Sequence, residues 1–337
     1  MSALHVRYDE ELGWASVPNF YVQNYYAPGI YLKTNARGFR ANLEFTERVP
    51  AGKLRIICAG DSFTFGEGVS NDSTWCQLLE SLDGRFQTVN MGESGYGVDQ
   101  MYLWYRRDGV VLEHDILVFA FITEDFRRMQ LTNYVGHGKP VLKLRNGELA
   151  ADNIPVPRPS RSDQSLGLRV AQVGDLRSMK LLRSLVTWAL PARKDPFSNG
   201  PTDDQRLVFD KMIEVLDSIN KHKNSILVLA FLPDTLHNYE QDGTSLAWRA
   251  FVREESAKRG IAFVDLINDF RKLPVTMEDG MFIWPGSVHY FVEAPGHYDD
   301  QGNEWVAREI LARLIAIPEV AKKLARLSDG HVARRSR

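Results

Sequence analysis

Short, almost wholly apolar runs, each closed by a glycine, a proline or a polar turn, alternate along this chain with stretches whose apolar residues fall at helical spacing. Leu54–Ala59 is the first run and ends at Gly60; Thr88–Asn90 ends a second. Ile116–Ile122 is a third, uniformly apolar, as a strand covered on both faces should be. Ser225–Leu232, closed by Pro233, and Ile261–Asp265 are the fourth and fifth. Between them, Trp75, Leu78, Leu79 and Leu82 predict a helix that Ser70–Ser73 can cap, and Val98–Asp108 predicts another stopped by Gly109. Leu207, Met212, Val215, Leu216 and Ile219 mark the apolar stripe of a third helix, behind a capping box from Thr202 to Gln205. Ala247, Trp248, Phe251 and Val252 suggest a fourth; Val306, Ile310 and Leu314 complete a last one. Strand and helix in alternation predict a parallel sheet between two helical layers.

Residues 130–200 interrupt the rhythm. Asn146-Gly147 lies between near-alternating segments and signals a hairpin, residues 155–166 are turn-rich, and Leu181–Ala192 fits a short helix. An insertion this long beside a sheet is more often functional than idle. The expected organisation is an N-terminal extension (1–50) packing on the core, one domain (51–320) carrying the 130–200 insertion, and a basic C-terminal tail (321–337). No internal repeat is visible.

Composition narrows the function. The 337 residues carry 41 Lys+Arg against 43 Asp+Glu, a formal net charge of −2, which leaves no basic face for a nucleic acid. Cys58 and Cys76, the two cysteines, make neither a disulfide framework nor a four-Cys zinc site, and their places in a strand and a helix suggest packing. Met1–Glu10 has no signal-like apolar run, and no uncharged stretch reaches the roughly 18–20 residues of a membrane helix. The expectation is a cytoplasmic protein with no membrane or nucleic-acid partner and no cofactor.

In open parallel sheets, ligands sit beyond the carboxyl ends of the strands. There the first run is followed by Gly60, Asp61 and Ser62, the second by Gly92 and Gly95, and the third by Glu124 and Asp125; His297 stands between the fifth run and the last helix. A serine, a histidine able to take its proton and flexible turns able to offer N–H groups are the ingredients of acyl transfer. A G-x-S-x-G elbow, a P-loop and H-E-x-x-H are all absent, and His289 with Glu293 supplies only two ligands, so no metal is expected. Ser62 is also the kind of post-strand residue that caps a helix.

Gly60-Asp61-Ser62-Phe-Thr-Phe-Gly66, Asn90-Met-Gly-Glu-Ser-Gly95 and His297-Tyr-Asp-Asp-Gln-Gly302, in this order and context, resemble the SGNH (GDSL-type) hydrolase family over roughly residues 30–320. Thr34-Asn35-Ala-Arg-Gly38-Phe39-Arg40 and the segment from Lys139-Pro140 to Pro157 look like a bacterial branch of it, with a long insertion between the third and fourth blocks. The resemblance implies a three-layer α/β/α, flavodoxin-like fold with a five-stranded parallel sheet. It also implies Ser62 as nucleophile, the Ser62 and Gly95 N–H groups as oxyanion donors, and His297 as general base.

Two positions depart from that family. Its third block usually reads Gly-x-Asn-Asp, the asparagine completing the oxyanion hole; here Ile122-Thr123-Glu124-Asp125 matches, and an ionised Glu124 would repel an oxyanion. Glu124 is equally readable as a structural carboxylate paired with Arg127 or Arg128. The acid expected three residues before the histidine is Ala294, leaving Glu293, a backbone carbonyl or Asp299 to orient the imidazole. The resulting expectation is a serine-dependent acyl-ester hydrolase acting on a small-molecule or glycan ester, with carbohydrate O-deacetylation as one form. An O-acyltransferase and a non-catalytic glycan- or partner-binding relative are the alternatives.

Overall fold

The computed structural model describes residues 5–158, 200–235, 243–274, 276–277, 280–284 and 294–335. Two antiparallel hairpins open the chain, β1 (Val6–Asp9) with β2 (Gly13–Ser16) and β3 (Tyr21–Ala27) with β4 (Ile30–Lys33). Then come β5 (Leu54–Gly60), the single turn α1 (Ser62–Phe65), α2 (Trp75–Leu82), β6 (Phe86–Gly92) and α3 (Val98–Trp104). A π-helical turn at Tyr105–Gly109 ends α3, where the sequence predicted α-helix to residue 108. There follow β7 (Ile116–Phe121), α4 (Thr123–Arg128) and a hairpin of β8 (Val141–Arg145) and β9 (Glu148–Asp152). α5 (Asp203–His222), β10 (Ile226–Phe231), α6 (Gly243–Arg259), β11 (Ala262–Asp265), the short α7 (Ile267–Phe270), α8 (Asp300–Ala316) and α9 (Pro318–Arg335) complete it.

The five long-range strands form one parallel sheet in the order β6-β5-β7-β10-β11. The central β7 and β10 are apolar throughout because each is covered on both faces. Ile57, Ala59, Leu117, Phe119, Leu227 and Leu229 point into a core shared with α3, α5 and α6. Their neighbours Ile56, Cys58, Ile116, Val118, Val228 and Ala230 point into a second core with α2, α8 and α9, where Cys76 is also buried. The three-layer α/β/α fold with a five-stranded parallel sheet is thus present. In chain order the strands run 2-1-3-4-5, so the connections diverge between β5 and β7, and the crevice beyond those two strands is the natural ligand site.

Local signals fixed most element ends. In the capping box before α5 the Gln205 N–H meets the Thr202 hydroxyl at 3.3 Å and the Thr202 N–H meets the Gln205 amide oxygen at 2.9 Å. The hairpin turn at Asn146-Gly147 places both residues at positive φ, 51° and 81°, as a two-residue turn of this hand requires. α2 is a correction: Thr74, not Ser70–Ser73, caps it, because Asn71–Ser73 form a 3₁₀ turn of their own. The helix expected over Leu181–Ala192 lies outside the described residues. Among the described residues, no helix is long and apolar enough to cross a membrane.

Candidate active site

Everything on the first strand's exit serves to hold α1. Asp61, rather than Ser62, is the helix cap: its Oδ1 accepts the Phe63 N–H at 2.9 Å, so Ser62 is the first helical residue and its hydroxyl is left for other work. The N–H of Ser62, in that first turn, has no helical carbonyl to meet. Asn90, at the end of β6, donates to the Thr64 carbonyl at 2.8 Å and accepts the Gly92 N–H at 2.9 Å. Gly92 passes so close beneath α1 that an added Cβ would lie 2.1 Å from the Phe65 nitrogen. From the N-terminal segment, buried Arg40 donates to the carbonyls of Phe65 (2.7 Å), Gly66 (2.6 Å) and Val69.

His297 arrives from a loop tied to Ile283: the Ile283 N–H donates to the His297 carbonyl and the Gly296 N–H to the Ile283 carbonyl, both at 2.8 Å. The structure brings Ser62 and His297 together, with Oγ 2.8 Å from Nε2. On the other side of the ring, Nδ1 lies 3.2 Å from the Ala294 carbonyl oxygen. An acceptor there makes Nδ1 the protonated nitrogen and leaves Nε2 bare, the tautomer needed to take a proton from Ser62. Burial, with a smaller push from the Arg128 charge, lowers the His297 pKa to about 4 against the opposing pull of the Ala294 carbonyl. The imidazole is therefore neutral at pH 7. Phe63 flanks it with ring centres 4.9 Å apart.

The remaining sequence candidates separate. Glu293 lies outside the described residues. Asp299 caps α8, accepting the Gly302 N–H at 2.9 Å. Glu124 is half-buried on α4 and pairs with Arg127 at 3.4 Å. Asp125 is buried, with Oδ2 accepting the Ile122 N–H at 2.9 Å and Oδ1 2.8 Å from Arg128. Burial raises the Asp61 carboxyl above its usual range, and burial together with the charge of Asp61 raises Asp125 further.

The loop after β6 that carries Gly95 is braced by residues sequence reasoning did not single out. Glu93 accepts the Ser94 N–H at 3.1 Å and the Ser16 hydroxyl at 2.7 Å, and the Ser94 hydroxyl donates to Glu67. Trp14 Nε1 donates to the Ser94 carbonyl at 2.9 Å, and the Tyr96 hydroxyl donates to the Trp14 carbonyl at 2.6 Å. Burial pushes the Glu93 carboxyl up to about 7. The only sequence cue for these braces was polarity inside an otherwise apolar neighbourhood. Among the described residues, no group of three or more His, Cys, Asp and Glu is placed to hold a metal ion.

No family model and no curated protein matches this chain. Many of the solved structures it is similar to are GDSL-type lipolytic hydrolases and acetyl xylan esterases, at low identity. One is the lipase/acylhydrolase from Enterococcus faecalis, 12% identical with a TM-score of 0.44, covering 77% of this chain and 95% of that one. A second is an acetyl xylan esterase, AlAXEase, at 14% and 0.43, covering 78% and 100%. A third is a member of the lipolytic protein G-D-S-L family from Veillonella parvula DSM 2008, at 14% and 0.40, with the same coverage. What this chain can do is decided by its own side chains.

Proposed function

We propose that this protein is a serine-dependent acyl-ester hydrolase, with Ser62 as nucleophile and His297 as general base. The observation that carries the reading is the 2.8 Å approach of Ser62 Oγ to an imidazole nitrogen whose partner nitrogen faces a backbone carbonyl. In this reaction Ser62 Oγ attacks the ester carbonyl carbon while its proton passes to His297 Nε2. The oxyanion forms against the N–H groups of Ser62 and Gly95. Collapse expels the alcohol, which takes the proton from His297. Water, deprotonated by the same nitrogen, then releases the acid and restores Ser62. With the Ala294 carbonyl behind the ring, the described residues work as a Ser–His dyad, and buried Asp61 serves α1 as its cap.

Within this class a carbohydrate O-deacetylase is the form to test first. Trp284, 39% exposed, directly follows Ile283, whose backbone is bonded to that of His297, and an exposed indole is the kind of surface on which a sugar ring stacks. A fluorophosphonate probe should label the wild-type protein and leave Ser62→Ala unlabelled; equal labelling of the two would refute the nucleophile. Acetate release from O-acetylated xylan or mannan oligosaccharides, absent in Ser62→Ala, tests the substrate. Acetyl transfer to an added sugar in preference to water would instead make the protein an O-acyltransferase.

A further inference from the structure

The two N–H donors leave an oxyanion hole one member short of the usual set, and Glu124, at the position the resemblance gives to asparagine, is paired with Arg127. One helical turn later α4 turns a cation inward. Arg128 Nη1 lies 2.8 Å from Asp125 Oδ1 and 3.6 Å from Asp61 Oδ2, and it donates to the Tyr96 carbonyl at 3.2 Å. Its guanidinium carbon stands 5.0 Å from the centre of the Tyr134 ring, and α4 itself is fixed by Phe126 stacked on Trp248 at 3.9 Å. Asp61 immediately precedes Ser62, and Tyr96 immediately follows Gly95. One side chain thus touches the neighbour of each residue whose N–H would face the oxyanion.

We infer that Arg128 is a positioning residue of the oxyanion hole, holding the Ser62 and Gly95 donors in one frame and supplying the positive charge beside them. This inference rests on the hydrolase reading above. A guanidinium placed there only to neutralise two carboxylates would bind both at hydrogen-bond distance. Instead Asp61 stands off at 3.6 Å, and the buried Arg128 Nε has no hydrogen-bond partner among the described residues. Away from water its charge is weakly screened, and the fork is fixed before substrate arrives, the condition under which such groups act most strongly.

The test compares full-length wild type, Ser62→Ala, Arg128→Lys and the double variant Asp125→Asn/Arg128→Gln on p-nitrophenyl acetate, with melting followed by circular dichroism. The double variant avoids stranding Asp125, whose asparagine replacement can still accept the Ile122 N–H, and the melting curve reports the cost of leaving Asp61 without the cation. A lost oxyanion element should lower kcat about 10²-fold in the double variant with KM nearly unchanged, and Arg128→Lys should fall between. Equal kcat in wild type and a folded double variant, both well above Ser62→Ala, would overturn the role of Arg128 alone. A rise in KM at constant kcat would overturn it too, making Arg128 a substrate-binding group. Should the double variant not fold, a folded Arg128→Lys with wild-type kcat and KM overturns it equally. Wild-type turnover no faster than Ser62→Ala would overturn the hydrolase reading and this inference together.

Discussion

Replacing Gly92 by alanine should disable the protein without unfolding it, and the size of the effect follows from where the new methyl group falls. Its carbon would lie 2.1 Å from the Phe65 nitrogen, 2.5 Å from the Thr64 carbonyl carbon and 2.7 Å from the Phe65 Cα. All three are backbone atoms of α1, so no side chain can swing aside. Ordinary contact begins near 3.4 Å, and relief requires α1 to retreat from β6 by about 1 Å. α1 carries Ser62, and the 2.8 Å bond to His297 has no slack for a shift of that size. A misplacement of about 1 Å costs on the order of 10²-fold in rate. Overpacking of this kind costs about 1–3 kcal/mol of stability, less than a typical domain's total. The expected result is a folded protein with a lowered melting temperature and kcat on p-nitrophenyl acetate reduced about 10²-fold. Gly84→Ala is the control, because a Cβ there meets nothing within 4 Å. A Gly92→Ala protein that melts lower yet keeps kcat within about threefold of wild type would refute the claim that β6 sets the position of the nucleophile.

Other outcomes follow from the same geometry. His297 must be neutral to accept a proton, and its pKa is lowered to about 4, so kcat/KM should hold through pH 5 and fall only near 4; half-maximal activity near pH 6.5 would contradict the burial of the ring. The same depression makes the unfolded chain bind the proton first: the stabilisation is complete above pH 6.5 and is lost as pH falls toward about 4, which urea titrations across that window should register. Lys139 and Asp99, 2.6 Å apart and both fully buried, tie the insertion to α3. Lys139→Met should cost about 3–5 kcal/mol by stranding the carboxylate, and Asp99→Asn in the same chain should recover part of it; an unchanged urea midpoint for Lys139→Met would show that the pair carries no stability.

The parallel sheet was readable in the sequence because burial on both faces makes Ile116–Phe121 and Ile226–Phe231 uniformly apolar, a signal that needs no partner to interpret. Their neighbours α2 and α5 announced themselves by stripe spacing and, for α5, by a capping box. The four N-terminal strands did not, since three of them span four residues each and the register between β3 and β4 breaks between Val22 and Ala27. In the site, Ser62 and His297 were visible as residue types, while their meeting across 235 positions is a product of the fold. The group behind His297 was open for a simple reason: a backbone carbonyl has no residue signature, and Ala294 looks like a lost acid until its oxygen is placed. Arg128 was noticed only as a possible partner for Glu124, because the inward face of a six-residue helix is decided by what packs on it.

The brackets that hold this site come from outside the sheet. Arg40 grips the carbonyls that end α1, Trp14 and Ser16 fasten the Gly95 loop, and the amide of Gln100 on α3 donates to the Leu12 carbonyl at 2.8 Å. A fragment trimmed to begin at β5 would keep all five parallel strands and both helical layers. It would lose the Arg40 clamp on the turn that carries Ser62 and the Trp14 and Ser16 braces of the Gly95 loop. The segment before β5 is therefore framework for the site and core at once, since its Leu12, Trp14, Phe39 and Phe45 are buried in the same cluster as the sheet residues Ile57 and Leu117.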